Sequence, residues 1–485
     1  MSRRLVAGVD SSTGSTKVEL RDIDTGAVVA RGRAPHPSTT PPCSEQDPDA
    51  WWQALITATS ACGNARSDVV AISVAGQQHG LVCLDMDGRP LRPAVLWNDT
   101  TSAADADRLV ARLGRRTWAT ACGSVPVAAF TITKLAHLGA TEPEVVDRIA
   151  HLLLPHDEVT RRLCGDVVTD RGDASGTGWW SPAEGRYRPD LLELAAPELA
   201  DPAWLPRVLG PTEPAGTLLP HPASALGLPA GIVVGPGTGD NMAAAVGTGL
   251  RPGDVAVSLG TSGTVYTTSD TPTADESGAV AGFADATGRF LPLVCTLNAT
   301  KVTDAVARLL GVGLSDFDAL ALTGDPGGGG LTLLPYLDGE RTPDRPHAAG
   351  VLSGLRSDVE RTDLARAAVE GVLCGLLDGY DALVRALGTA PAGDHLVVGG
   401  GARSAAFRHV LADLTGRPWL AVQDDETVAR GAAIQAAAVV LDEPVDDVAG
   451  AWGRPEALWV EPGPGSTAAD RAAVRSAYAG LRDRA

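Results

Sequence analysis

A glycine-rich turn near the middle of the chain carries an acid and an amide in a setting suited to chemistry. It reads Val233-Val234-Gly235-Pro236-Gly237-Thr238-Gly239-Asp240-Asn241-Met242 and runs on through Ala243-Ala244-Ala245 to Gly247. A short β-branched run feeds the turn, and small helix-compatible residues follow it. Glycines at these positions let the backbone take positive φ and approach a bound group closely. Asp240 falls where a helix N-cap stands, with its carboxylate directed back into the turn. A carboxylate at a rigid helix start suits a general base or a metal ligand. Taken alone, the same pattern also fits a plain capping aspartate. The helix N-terminus is expected to depress the Asp240 pKa.

Two further turns are rich in hydroxyls. Asp10-Ser11-Ser12-Thr13-Gly14-Ser15-Thr16-Lys17 joins a buried strand over 5–9 to a strand beginning at Val18, with a third strand over 27–33. Hydroxyls and backbone N–H groups in such a turn hold phosphate oxygens, and Asp10 is placed for Mg²⁺ or its water shell. The segment is equally a common hairpin loop. The arrangement returns as strand 255–259, turn Gly260-Thr261-Ser262-Gly263 and a returning strand over 264–268. Two such hairpins, one opening each half, predict a duplicated fold. His395–Ser404 runs from strand into a glycine turn and then a helix with Phe407, Val410, Leu411 and Leu414 on one face. A nucleotide can approach the backbone at that helix start.

The elements around these turns position more polar groups. A strand over 69–74 ends in Gly76-Gln77-Gln78-His79-Gly80, and polar residues at a strand end commonly line a site. His79 alone is equally a structural histidine. Leu96-Trp97-Asn98-Asp99 adds polar groups beside an indole, and 169–177 is a polar, glycine-bearing loop. Helices are expected over 49–62, 142–165, 363–387 and 428–440. The last, dense in Ala and Gly, is expected to pack with the run after Asp240 as two thin helices between domains.

With 485 residues the chain predicts two domains of similar size. A net charge of −19 argues against nucleic acid or an anionic membrane as partner. Seven singly scattered cysteines predict a reduced, cytoplasmic protein with neither a disulfide framework nor a zinc site. Arg3-Arg4 precedes too short an apolar run for a signal peptide, and no window approaches the roughly 18 apolar residues of a membrane span.

Taken in order, these motifs resemble the FGGY family of carbohydrate kinases and, within it, the xylulokinase subgroup. The Asp10–Lys17 turn is similar to the family's first phosphate loop, Gly260–Gly263 to its second, and Gly399–Ser404 to its adenosine motif. Gly239-Asp240-Asn241 is similar to the catalytic-base motif. Ser44–Pro48 before Trp51-Trp52, Leu96–Asp99 and Leu337–Pro343 are similar to subgroup stretches. One departure stands out: the subgroup's Gly-Gln-Met-His-Gly is here Gly-Gln-Gln78-His79-Gly. The resemblance implies an α/β fold of two RNase H-like domains of the actin and hexokinase type, with the active site in the interdomain cleft. It implies a sugar-binding domain over 1–246 and a nucleotide-binding domain over 247–485. The implied activity is ATP-dependent phosphorylation of a pentulose, D-xylulose to D-xylulose 5-phosphate, in the cytoplasm; the sequence does not fix the oligomeric state and leaves a homodimer open. Asp240 would be the base, with Asp10 and Asp240 toward Mg²⁺. Gln78, His79, Asn241, Trp97 and Asp99 would meet the sugar. Ser12, Thr13, Gly14, Ser15, Lys17, Gly260, Thr261, Ser262, Gly263, Gly400, Gly401, Ala402 and Ser404 would meet ATP.

Three alternatives remain open on the sequence. The first is a kinase for another ketose or polyol, such as ribulose or L-xylulose. The second is a non-catalytic, actin-like nucleotide sensor. The third is a dinucleotide-binding turn at Gly399-x-Gly401-x-x-Ser404, with Asp424 and Asp425 about 20 residues on. Its third glycine is missing.

Overall fold

Every residue of the strand Leu5–Ser11 is buried, as expected of a strand covered on both faces. Its side chains alternate. Leu5, Ala7 and Val9 share a core with Trp51, Leu55 and Ala58 of the helix Pro48–Ala61. Gly8 points the other way, onto the helix Thr427–Leu441. The computed structural model describes residues 3–199 and 204–484. Residues 1–2, 200–203 and 485, which fall inside the two expected domain spans, lie outside the described residues.

By internal packing the chain forms two units. The first comprises Met1–Gly249, Ser269–Leu291 and Glu426–Arg454, and the second Leu250–Thr268, Pro292–Asp425 and Pro455–Ala485. In the first, the sheet runs Val28–Pro35, Ser15–Asp22, Leu5–Ser11, Val69–Gly76, Val233–Val234, Gly216–Thr217. The opening three strands are an antiparallel meander, and Val69–Gly76 lies parallel to the first of them. Thr238–Gly239 also pairs parallel to Val69–Gly76, which brings the Asp240 turn beside the Gln77-Gln78-His79 segment. The helices Asp240–Gly247 and Thr427–Leu441 pack on each other within this unit.

The second unit repeats the scheme. Phe290–Thr296, Gly263–Thr267 and Val255–Leu259 are antiparallel, and His395–Val398 and Trp419–Val422 continue in parallel. Ala457–Val460 closes the order, antiparallel to Trp419–Val422. The helix Arg361–Leu387, long as predicted, supplies buried residues on its small-residue face.

One expected helix divides. Residues 142–165 form the short helix Pro143–Val146, the strand His151–Leu153 and the helix Pro155–Cys164. The apolar run pairs antiparallel with Val82–Leu84. Pro155, lacking an N–H, starts a new helix instead of extending an old one.

Close approach sets a testable limit at Gly8. A Cβ there would fall 1.9 Å from the Ala429 carbonyl oxygen, whereas one at Gly14 would meet nothing within 4 Å. Gly8→Ala should therefore cost about 2–3 kcal/mol and lower the Tm of the first unit's melting in scanning calorimetry. Gly14→Ala should leave that Tm nearly unchanged.

Candidate active site

Asp240 is the first residue of its helix; Gly239 stands at the N-cap and makes no side-chain cap. The capping role read from the sequence is thus corrected. Its carboxylate is engaged sideways instead: Asn241 Nδ2 donates to Asp240 Oδ1 at 2.9 Å and to Gln78 Oε1 at 2.9 Å. The expected depression of its pKa is also overturned. Burial first, then the carboxylates of Asp10 and Asp173, push Asp240 up to about 7, with Asn241 only partly opposing. A helix end contributes about 0.3–1 kcal/mol, less than one pKa unit, so desolvation and like charge win.

Asp10 is buried at the end of the first strand. Ser12 donates to its Oδ1, and Lys17 Nζ lies 3.3 Å from its Oδ2 and 2.8 Å from Glu426 Oε2. Burial disfavours the Lys17 ammonium, but Asp10 and Glu426 outweigh it and raise the pKa. The turn between them is pinned from its sides. Thr13 Oγ1 donates to Gln77 Oε1 at 3.1 Å and accepts from Trp97 Nε1 at 2.8 Å. Gln46 Nε2 donates to the Thr13 carbonyl at 3.0 Å. Ser15 is buried beside Thr16, which bonds His36, while Gly14 is exposed. Trp97 therefore directs its indole N–H to the turn. Asp99 is engaged with the backbone, accepting from Ser44 N at 2.7 Å and Thr101 N at 2.9 Å.

His79 sits at φ 63°, a conformation that non-glycine residues rarely adopt and that clusters at functional sites. Its ring stacks on Phe130 at 4.9 Å and tilts against Phe283 at 5.4 Å. Its Nδ1 lies 2.9 Å from the Gly176 carbonyl. A carbonyl only accepts, so Nδ1 carries a proton, and in the neutral ring Nε2 is then the acceptor.

Sequence reasoning passed over the group beneath Asp240. His156 is fully buried, with Nδ1 2.6 Å from Asp173 Oδ2 and Nε2 3.2 Å from Asp157 Oδ1 and 3.9 Å from Asp170 Oδ1. Burial alone would lower its pKa; Asp157, Asp173 and Asp170 instead carry it up to about 10. Burial raises Asp173 despite the histidine and pushes Asp157 up to about 7. Asp170 caps Gly172 N and Asp173 N and accepts from Thr238 Oγ1 at 2.7 Å, tying this loop to the Asp240 turn. The sequence signal is Asp157, Asp170 and Asp173 around the polar, glycine-bearing loop over 169–177.

In the second unit, the turns Gly260–Gly263 and Gly399–Ser404 follow the C-terminal ends of two parallel, adjacent strands, a common ligand position in α/β sheets. Gly260 N bonds Ser262 O at 3.0 Å, and the carbonyls of Gly260 and Thr261 accept from Thr300 N and Ala299 N. Ala402 is buried, while the α-carbon face of Gly400 is open. The helix start after Gly401 is capped from within the chain. Ser404 caps Phe407 N and donates to Asp318 Oδ1 at 2.6 Å, and Ala405 N donates to Asp318 Oδ2 at 2.8 Å. The Asp318 carboxylate thus takes the first backbone donor of that helix. The dinucleotide alternative also fails, because this strand lies in a sheet with antiparallel members and Asp425 pairs with Arg403.

Among the described residues no three His, Cys, Asp or Glu side chains are grouped to hold a metal, and no helix is long and apolar enough to cross a membrane. The mutual repulsion of Asp10 and Asp240 still suits a hard cation held by one or two carboxylates and by substrate phosphates.

Comparison with known proteins points in one direction. Residues 5–247 match the N-terminal domain of the FGGY family of carbohydrate kinases, and residues 255–440 its C-terminal domain. A xylulose kinase of Streptomyces coelicolor is 49% identical over 449 residues, covering 92% of this chain and 90% of that one. The crystal structure of xylulose kinase from Bifidobacterium adolescentis is 40% identical, with TM-score 0.83 and 99% of both chains covered. A gluconate kinase from Lactobacillus acidophilus shares the fold at TM-score 0.92 and 23% identity, over 100% of this chain and 98% of that one.

The electrostatics make a ligand-independent prediction. In the metal-free protein, carboxyl-detected NMR should show Asp240 ionising as pH rises through about 7. Asp10→Asn removes a raising charge, so that midpoint should move to lower pH; an unmoved midpoint would mean the two carboxylates do not interact.

Proposed function

We propose a residue-level mechanism for this chain, which belongs to the FGGY family of carbohydrate kinases and transfers phosphate from ATP to xylulose. The substrate is D-xylulose and the product D-xylulose 5-phosphate, with Asp240 receiving the proton of the attacking hydroxyl. The observation that carries this is a carboxylate at a helix start, clamped by Asn241 and raised to about 7. A base with that pKa is matched to neutral pH. In phosphoryl transfer the protein mainly positions groups and stabilises charge, so a fixed carboxylate orientation matters as much as basicity.

His79 presents Nε2 to a sugar hydroxyl, since its Nδ1 is held by Gly176 and its ring by Phe130 and Phe283. Trp97 acts one step back, by holding Thr13. The Asp10–Lys17 turn offers Ser12, Thr13 and Gly14 to phosphate oxygens, and Lys17 keeps its charge there. Nucleotide contacts are assigned in the second unit to Gly260–Gly263 and to the backbone at Gly400 and Gly401. Ser404 is assigned instead to holding its own helix start. Mg²⁺, where bound, would be held by Asp10 and Asp240 and would neutralise charge on the nucleotide's phosphates. The relatives named xylulose kinase support this sugar; the fold does not choose it, because a gluconate kinase shares it.

Coupled ADP release across D-xylulose, D-ribulose, L-xylulose and simple polyols tests the reading. D-xylulose should give the highest kcat/KM, and a higher value for another sugar would reassign the substrate. Asp240→Asn should keep the fold and nucleotide affinity while lowering kcat by about 10²–10⁴-fold. Near wild-type turnover by that variant would remove Asp240 from catalysis.

A further inference from the structure

Gln78 stands where the resembling subgroup carries methionine, and the geometry gives it a task that methionine cannot perform. We propose that Gln78 is a positioning residue: it fixes the Asn241 amide, and through it the orientation of the Asp240 carboxylate. The proposal rests on Asp240 being the residue that receives the hydroxyl proton.

Asn241 Nδ2 has two hydrogens, and both are used. One goes to Asp240 Oδ1 and the other to Gln78 Oε1, each at 2.9 Å. Rotating the Asn241 amide by half a turn would set its oxygen against two acceptors, so only one orientation satisfies all three groups. The acceptor that enforces this on the Gln78 side is buried, with the residue 4% exposed. Asp240 alone leaves the second hydrogen of Asn241 undirected; Gln78 removes that freedom.

The other end of Gln78 points to the same conclusion. Its Nε2 lies near the Asp173 carboxylate and favours its ionised form, without an aligned hydrogen bond. Gln78 thus lies between two carboxylates, offering an acceptor toward one through Asn241 and a donor toward the other. A thioether has a weak acceptor and no donor. The side chain itself has little room to move: a Cβ on Gly239 would fall 2.7 Å from Gln78 Cγ, so glycine there admits the glutamine. Because Oε1 is engaged with Asn241, the sugar contact expected of Gln78 from the sequence gives way to an action on the base.

Steady-state kinetics on wild type, Gln78→Met, Asn241→Ala and the double variant test the proposal. Gln78→Met should lower kcat by about tenfold or more, because misplacing a reacting group by about 1 Å costs up to about 10²-fold. KM for the sugar should stay within about twofold, and the kcat factor should be the same for each pentulose turned over. In the Asn241→Ala background the link is already cut, so adding Gln78→Met should change kcat by less than about twofold. A loss carried by KM, or one that differs among D-xylulose, D-ribulose and L-xylulose, would make Gln78 a sugar contact and overturn the proposal. So would a full tenfold loss in the Asn241→Ala background. If the methionine variant melts below the assay temperature, Gln78→Ala carries the same comparison.

The link is also read without turnover. In the ligand-free protein, Gln78→Met should shift one of the two Asn241 side-chain amide proton resonances and speed its exchange; unchanged resonances would overturn the proposal. Failure of the wild type on every ketose would instead remove the assigned activity and leave this readout to decide the link.

Discussion

Negative charge taken out of water is the constraint around which the first unit is built. Asp10, Asp170, Asp173 and Asp157 are all buried, and Asp240 is raised by two of them. Unpaired, such a group of carboxylates would not stay ionised. Two cations answer it. Lys17 stands against Asp10 and Glu426, and the buried His156 stands among Asp157, Asp170 and Asp173. Their placement leaves Asp240 with carboxylate neighbours and, among the described residues, no ion-pair partner of its own, which is the condition for a pKa near neutrality. The structural cations thus set the chemistry of the site by what they neutralise and what they leave alone.

Backbone proximity makes this arrangement available. Thr238–Gly239 pairs with the last residues of the strand Val69–Gly76, so Asp240 and the Gln77-Gln78-His79 segment leave neighbouring strand ends. The loop of Asp170 and Asp173 is bonded to the same turn through Thr238, and it also supplies the Gly176 carbonyl that orients His79. One loop therefore fixes both the electrostatics under Asp240 and the tautomer of His79. This explains how a histidine at φ 63° is maintained: its ring is held by two phenylalanines and one carbonyl, contacts that over-determine a strained backbone.

What was legible in the sequence follows from how far each interaction reaches along the chain. Leu5–Ser11, Val69–Gly76 and Arg361–Leu387 announce themselves by local periodicity, and each forms close to the expected span. The 142–165 segment misleads because helical residues flank an apolar triplet whose fate depends on pairing with Val82–Leu84, some 70 residues earlier. The glycine turn marks Asp240 in the sequence, but the direction of its pKa shift is not written there. A helix end is visible in sequence, whereas the proximity of Asp173 and Asp10 is a property of the fold. Asp318 escaped notice for the same reason: nothing near residue 318 says that it will cap a helix beginning after Ser404.

Sugar selectivity in such a fold has to come from few atoms. A gluconate kinase shares this architecture at 23% identity, so strand order and helix packing do not distinguish a ketose from a sugar acid. The differences lie at strand ends, where a single polar atom decides whether a hydroxyl is paired or left stranded. Asp99 is engaged by Ser44 and Thr101, Trp97 by Thr13, and the Gln78 oxygen by Asn241. With these groups engaged, the mechanism proposed above has the sugar met by the His79 imidazole and the Asp240 carboxylate. A hydroxyl carries one hydrogen, so an imidazole acceptor and a carboxylate of fixed orientation call for two different hydroxyls at defined positions, which is a stricter demand than filling an apolar pocket. Selectivity built this way would depend on rigidity in the supporting residues more than on the number of contacts, and in the proposed site that support comes from Gly176, Phe130, Phe283 and Asn241.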